Sequence, residues 1–222
     1  KKAKEVVSSE LAKVGLHGDV TINKLDWTAL EIPTYYVSYT YSEKTYDGQT
    51  VTLETDTVFH NDWTDTTSDH LPEYKEAYLK QQSVQKKEKK IEGQLKKQSL
   101  GLPISFFGFL SNSNRDEKEQ ILDSIASQNL KEGKKDFAGY YQIPFQTLID
   151  QELIRMTIYI EDGVSVKEKD LKAAAKKLDA SKLPDGAYDF YYSKGSYADS
   201  ISYSFKVKDG KVVFYEDQNI QN

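Results

Sequence analysis

The chain contains two stretches in which apolar and polar residues alternate, and this feature constrains its fold more than any other. The alternating runs lie at residues 20–27, 34–41 and 50–59 in the first stretch and at 187–192, 201–207 and 211–216 in the second. Alternation in runs rich in Val, Thr and Tyr predicts half-buried strands. Asp47-Gly48 and Asp209-Gly210 are turn dipeptides that join such strands into hairpins. We therefore expect two antiparallel meanders of three strands each.

A helical pattern precedes each meander. Residues 3–14 place apolar side chains at helical spacing before the first, and Ser165 with Glu168 has the spacing of a capping box before the second. The order of one helix and three strands, αβββ, therefore occurs at residues 2–59 and again at residues 165–216. We predict an α+β fold with two such helix-plus-antiparallel-meander units and without parallel βαβ winding.

The middle of the chain has a different pattern. Residues 71–98 are mostly polar with sparse apolar positions, which predicts one long helix, or two helices broken near Gly93. We expect the whole segment 68–150 to be largely helical. A later apolar run, at 153–161, predicts another strand. The length of 222 residues suits one compact domain. We expect that single domain, residues 1–222, to have lobes at 1–67, 68–150 and 151–222.

The absence of cysteine excludes several kinds of site. Without Cys there are no disulfides, thiol nucleophiles, zinc–thiolate sites or iron–sulfur clusters. The motifs G-x-S-x-G, Walker A and H-E-x-x-H do not occur, and no run of about 18 apolar residues predicts a transmembrane segment. A chain of this length buries about 70% of the surface that its unfolded form exposes, so it can fold without a bound group. We therefore expect no cofactor and favour a role without catalysis.

The positive charge of the chain is almost entirely lysine. Arg115 and Arg155 are the only arginines among 30 basic residues, and bidentate recognition of phosphate or guanine favours arginine, so we expect no specific nucleic-acid partner. Residues 85–97 contain six lysines and two glutamates. On a helix these lysines form a positive stripe that suits an anionic polymer such as teichoic acid, lipid headgroups or nucleic acid; the alternative is a solvated helix face. The lysines are Lys86, Lys87, Lys89, Lys90, Lys96 and Lys97.

One concentration of metal-ligand side chains lies in residues 60–70. Its carboxylates and imidazoles supply oxygen and nitrogen ligands that divalent cations bind. The spacing matches neither the H-E-x-x-H zinc motif nor the EF-hand calcium loop. The alternative interpretation is a polar loop in which Asp69 caps the following helix. The candidate ligands are His60, Asp62, Asp65, Asp69 and His70.

The most apolar segment of the chain is GLPISFFGFL, at residues 101–110. In one interpretation Phe106, Phe107 and Phe109 are anchors for a protein or membrane partner. In the other, the segment is core that packs between the two meanders, which is the usual meaning of an apolar run bounded by Gly and Pro. Both interpretations follow from the same pattern.

Two stretches give the chain a recognisable character: AKEVVSSELAKVGLHGDVTINKL at residues 3–25 and DLKAAAKKLDASKLPDGAYDFYY at residues 170–192. With its Lys-rich, Arg-poor, Cys-free and Tyr-rich composition, the chain resembles uncharacterised surface lipoproteins of Gram-positive bacteria. The resemblance implies export, a lipid anchor on a residue upstream of this chain, and no known activity; it assigns no functional residue. We therefore expect an extracytoplasmic protein, secreted or lipid-anchored, that binds an envelope macromolecule or a protein partner. The alternative is a metal-dependent enzyme or metal-binding protein that uses the His60–His70 loop.

Overall fold

The computed structural model describes residues 1–29, 31–65, 71–111, 139–150, 152, 154–195 and 199–215. These residues form two β-sheets and five α-helices, so the predicted α+β class is confirmed. They divide into two compact units: the first contains the residues up to Gln81 together with 139–145, and the second contains 82–111 and the described residues from Gln146 onward. The segment 68–150, which we expected to be one lobe, contributes to both units.

The first unit combines two helices with one three-stranded antiparallel sheet. Its elements are α1 (Lys2–Lys13), β1 (Asp19–Thr28), β2 (Thr34–Lys44), β3 (Thr50–His60) and α2 (Leu71–Leu79), followed much later in the chain by a 3-10 turn at Tyr140–Gln142. The strands lie in the order β1-β2-β3, as expected for the first meander. α1 buries Ala3, Val7 and Leu11, which confirms the helical spacing of this segment.

The second unit is built around a five-stranded sheet of mixed direction, in the order β4-β5-β6-β7-β8. Its strands are β4 (Ile104–Ser111), β5 (Ile154–Ile160), β6 (Gly186–Ser193), β7 (Ser200–Lys208) and β8 (Lys211–Val213). Its helices are α3 (Gln82–Leu95), α4 (Phe145–Asp150, whose first residue belongs to the first unit) and α5 (Glu168–Lys177). Among the helices that the structure describes, none has both the length and the apolar character needed to cross a bilayer.

The second sheet differs from the predicted meander. β5 and β6 are parallel neighbours and α5 connects them, so the predicted absence of βαβ winding is wrong. The strands β6, β7 and β8 belong to a larger sheet that β5 and β4 continue on one side, and β4 comes from the segment that we expected to be largely helical. The reason is that β5 is buried along most of its length. A strand covered on both faces shows an apolar run, which does not reveal its neighbours.

The polar middle segment breaks into two helices, but at Lys80 and Gln81 and not near Gly93. Gln81 closes the end of α2, because its side-chain Nε2 donates a hydrogen bond to the carbonyl of Tyr78 (2.9 Å). Gly93 lies within α3, and a Cβ added there would have no neighbour within 4 Å. Glycine at an exposed helical position costs only about 1 kcal/mol relative to alanine, so it does not end the helix.

Two further local predictions have different outcomes. The hairpin turn at Asp209-Gly210 is confirmed, since both residues have positive φ angles, 51° and 71°, as a two-residue turn of the primed type needs. The capping box was expected to begin at Ser165. Instead, the first turn of α5 is closed by Asp170, whose carboxylate accepts the backbone N–H of Lys167 (2.9 Å).

Buried tyrosines form much of the core of the first unit. Tyr39, Tyr41, Tyr74, Tyr78 and Tyr141 are each at most 2% exposed. The hydroxyls of Tyr39 and Tyr74 form a hydrogen bond of 2.9 Å, and the hydroxyl of Tyr141 donates to the carbonyl of Tyr74 (2.8 Å). Burial raises the pKa of each of these five phenols, so they remain protonated and able to donate. A core that is short of aliphatic residues is thus filled by rings whose polar ends have partners.

Residues 139–145 complete this core although they are distant from it in sequence. Gly139 has a φ of 69°, and its backbone lies so close to Gly15 that a Cβ would be 1.7 Å from the Gly15 carbonyl oxygen. No other residue fits there without a shift of the backbone. The carbonyl of Tyr141 accepts the N–H of Tyr46, in the turn between β2 and β3, at 3.0 Å. The segment is therefore tied to the end of the sheet at which β1 begins and β2 turns into β3.

The hydrogen bond between Tyr39 and Tyr74 can be tested by removing its hydroxyls one at a time. We expect Tyr39→Phe and Tyr74→Phe each to lower the free energy of unfolding by about 1–3 kcal/mol, and the double substitution to cost clearly less than the sum of the two. Urea unfolding followed by Trp fluorescence measures the effect, because Trp27 and Trp63 both lie in the first unit. Tyr36→Phe is the control, since Tyr36 is 47% exposed. Additive single effects would contradict the bond.

Candidate functional site

The helix α3 lies beside β4, which is an edge strand of the five-stranded sheet. The backbone N–H of Phe107 donates to the carboxylate of Glu92 (3.3 Å), and that of Phe109 donates to the carboxylate of Glu88 (3.0 Å). The spacings match, since four residues of helix rise about 6 Å and two residues of strand rise about 6.8 Å. Edge N–H groups are normally a template for another strand. Here two glutamate side chains accept their hydrogen bonds instead.

This arrangement separates the charges of α3. Val84, Ile91 and Leu95 are the buried residues of the helix. At roughly 100° per residue, Glu88 and Glu92 lie together on one side of this buried stripe, and the lysines occupy the remaining arc of the helix. We call the four exposed lysines of this arc the lysine face: Lys86, Lys87, Lys89 and Lys90.

The glutamates of α3 are directed away from the lysine face. The carboxylate of Glu88 is partly buried against β4, and burial raises its pKa, while the hydrogen bond from Phe109 acts in the opposite direction. Glu92 also forms an ion pair of 2.7 Å with Lys96, which lies one turn beyond the lysine face. The exposed side of α3 therefore carries several ammonium groups at close spacing.

The three phenylalanines predicted as interaction anchors lie on different faces of β4. Phe107 and Phe109 are 3% exposed and belong to the core of the second unit, because alternation places both on the buried face of the strand. Phe106 lies on the other face, is 47% exposed, and stacks on Tyr159 with ring centroids 3.9 Å apart. The segment is thus an edge strand of one sheet, with Phe106 as its exposed ring.

A buried carboxylate lies in the middle of the same sheet, where sequence analysis predicted no site. Asp189 on β6 pairs in register with Thr157 on β5, whose hydroxyl donates to the carboxylate at 2.6 Å. The Nη1 atom of Arg155 is 3.6 Å from the same carboxylate. Burial raises the pKa of Asp189, and the bonds to Thr157 and Arg155 oppose this effect without cancelling it.

This trio joins the parallel strands β5 and β6. Its acid, hydroxyl and guanidinium bind one another, and the buried Nε of Arg155 has no hydrogen-bond partner among the described residues. The available signal in the sequence is the polar Asp189 between Tyr188 and Phe190 in a strand of buried residues. Its partner could not be found from the sequence, because it lies on a strand that we did not expect to be adjacent.

The described residues of the predicted metal site lie in one loop, but they do not form a cluster of ligands. Asp62 forms a local turn, in which its carboxylate accepts the backbone N–H and the hydroxyl of Thr64 (2.9 and 2.7 Å), and these bonds lower its pKa. His60 ends β3, and Asp65 forms a backbone bridge with Phe59. Within the described residues, no three His, Asp or Glu side chains lie close enough to share an ion. Asp69 and His70 lie outside the described residues, so the metal site remains a prediction.

Comparison with protein-family models, curated proteins and solved structures found no match to this chain. Its own surface chemistry is therefore the basis for a functional assignment. The lysine face has the highest density of like charge on any described helix, with four lysines between residues 86 and 90.

The raised pKa of Asp189 predicts a specific pH dependence. Between the unfolded pKa and the raised folded pKa, the folded protein binds more protons than the unfolded chain, so stability falls as pH rises through that interval. The Asp189→Asn variant has no ionisable group at this position, so its stability lacks this pH dependence. We expect the difference in unfolding free energy, native protein minus variant, to be most favourable near pH 3 and to decrease by about 1.4 kcal/mol per unit of pKa shift on going to pH 7.

Urea unfolding followed by far-UV circular dichroism between pH 3 and pH 8 measures this difference. Asp162→Asn is the matched control, because Asp162 is an exposed aspartate of the same unit, and it should parallel the native protein. A difference that grows more favourable with rising pH would mean that Arg155 outweighs burial.

Proposed function

We propose that the protein is a non-enzymatic binding module of the Gram-positive cell envelope, and that its lysine face binds an anionic cell-wall polymer of the teichoic acid type. One observation carries this proposal: Glu88 and Glu92 are bound to the edge of β4, whereas the neighbouring lysines of α3 are exposed. Mixed charge in the sequence of a helix usually means a neutral solvated surface. In α3, however, the carboxylates and the ammonium groups lie on opposite sides of the helix, so the exposed surface is locally positive.

Lysine side chains suit an irregular polymer better than they suit a ligand that requires a fixed contact geometry. Its ammonium group is a compact charge on a flexible stem, which follows irregular phosphate positions along a polymer, whereas the arginine fork favours defined bidentate contacts. The four lysines lie within about 6 Å along the helix axis, so they act together on neighbouring phosphates. This is a charge-density interaction, and it requires no enclosed pocket.

The location proposed for the protein is extracytoplasmic, either secreted or lipid-anchored at the cell surface. It is supported by the lack of cysteine, by the single methionine, and by the resemblance to Gram-positive surface lipoproteins. Met156 is fully buried, which adds to the resistance to oxidation that an exposed environment demands.

The proposal also includes an origin for the fold. The chain order α1-β1-β2-β3 in the first unit is the same as α5-β6-β7-β8 in the second. We propose that both derive from one αβββ element, with β4, β5 and the helices α3 and α4 that precede them as additions to the second copy. The antiparallel pairing within each set of three strands supports this proposal.

Neutralising the lysine face should weaken binding of the polymer. We expect simultaneous Gln substitution of Lys86, Lys87, Lys89 and Lys90 to reduce the affinity for purified wall teichoic acid by at least about tenfold at about 50 mM salt, because each lysine near an anionic surface contributes about 1 kcal/mol. For the native protein, affinity should fall steeply between about 50 and 200 mM salt, as expected for counterion release. Biolayer interferometry on immobilised polymer measures both effects.

The matched control removes the same charge from another exposed helical surface. Gln substitution of Lys1, Lys2, Lys4 and Lys13, which are exposed on or beside α1, should leave the affinity nearly unchanged. Equal losses in the two variants would show that net charge alone drives binding. Equal binding to duplex DNA and to teichoic acid would show a general affinity for polyanions and would overturn the proposed ligand class.

A further inference from the structure

A groove lies along the outer edge of β3 in the first unit. β3 is an edge strand, and no described strand pairs with its outer side between Thr50 and Asp56. The groove has a volume of about 490 Å³, within the usual range for ligand sites. One wall is formed by residues 50–55 of β3. The other wall is formed by one side of α2 and the residues after it, namely Glu73, Glu76, Ala77, Lys80 and Gln81.

In each unit a helix lies beside an edge strand, but the carboxylates of the two helices make different contacts. In the second unit the carboxylates of α3 reach the backbone of β4 directly. In the first unit the corresponding carboxylates make only side-chain contacts in the structure described here. Glu73 accepts the hydroxyl hydrogen of Thr55 (2.6 Å), and Glu76 pairs with Lys80 (2.8 Å). A groove therefore separates helix from strand where, in the second unit, helix and strand are joined.

We infer that this groove binds an extended peptide segment of a partner protein, which adds to β3 as a fourth strand of the first sheet. The backbone of β3 would supply main-chain hydrogen bonds to one side of the peptide, as in other cases of strand addition. The N–H groups on its other side would face Glu73 and Glu76, in the way that the N–H groups of β4 face Glu88 and Glu92. This inference is independent of the lysine face.

The lining of the groove specifies the side chains of the peptide. Leu53 and Ala77 are half-buried on its floor and suit an apolar residue. The charged groups of the lining are Glu54, Glu73, Glu76 and Lys80, so the groove carries an excess of negative charge. Successive residues of an extended chain point to opposite sides. The expected partner segment therefore alternates apolar and basic residues.

The same charges disfavour a second copy of this chain as the occupant. Pairing of β3 with β3 of another copy would bring Glu54 and Asp56 close to their own equivalents, and like charges opposite one another destabilise a strand pair. Charged residues on an edge strand are a common protection against self-association. A basic segment removes this repulsion, and a copy of β3 does not.

The experiment uses the whole chain and a fluorescent synthetic peptide that alternates lysine and valine. Fluorescence anisotropy should show saturable binding, and a peptide that alternates glutamate and valine should bind at least about tenfold more weakly. Glu73→Gln combined with Glu76→Gln should weaken binding of the lysine peptide at least about fivefold. The matched control, Glu5→Gln combined with Glu10→Gln on α1, removes the same charge from another helix of the first unit and should bind as the native protein does.

Strand addition is distinguished from simple charge attraction by the peptide backbone. The lysine peptide with alternate backbone nitrogens methylated keeps its charge but loses its hydrogen-bond donors, and it should not bind. Amide hydrogen exchange of residues 50–56 should slow when the unmodified peptide is added. Undiminished binding of the methylated peptide, unchanged exchange, or a dimer whose β3 amides are already protected without peptide would each overturn the inference.

Discussion

Much of the packing in the second unit depends on the backbone N–H groups of β4 that do not bond to the neighbouring strand. They are bound by Glu88 and Glu92, and this contact fixes the rotation of α3 about its axis. With these two side chains directed at the strand, the apolar stripe of the helix is buried and the lysine-rich arc is exposed. A single requirement, that donors on a sheet edge find acceptors, thus produces both the packing of the helix and the charge of its surface. The functional proposal follows from that rotation.

The first unit satisfies a different constraint. Tyrosine rings supply much of its buried surface, and each buried hydroxyl would be costly without a partner. The bonds from Tyr39 and Tyr141 to Tyr74 meet this need, and they link β2, α2 and the distant segment 139–145. Because such bonds are directional, this core specifies relative positions that interchangeable aliphatic contacts would leave less defined. The polar groups of this core therefore help to define the relative positions of the elements that it joins.

The sequence predicted those elements whose signal is local. The three strands of the first sheet, α1 and the hairpin at Asp209-Gly210 were predicted correctly, because alternation, helical spacing and turn residues are properties of neighbouring positions. The parallel pairing of β5 with β6 was not predicted, because a 25-residue connection separates the two strands and no local pattern shows that they are neighbours. The same limit applies to the site. The lysines of α3 are evident in the sequence, but the direction of Glu88 depends on a strand that follows the helix.

The two proposed surfaces have opposite charge and differ in how they respond to salt. Binding at the lysine face depends on exposed charges, which are screened beyond about 8 Å at physiological ionic strength. Binding along β3 depends on main-chain hydrogen bonds, with charge as a selector of the partner segment, so it loses less affinity when salt is added. The net charge of −5 describes neither surface. The two proposals are compatible, because each proposed ligand is repelled by the surface that would bind the other.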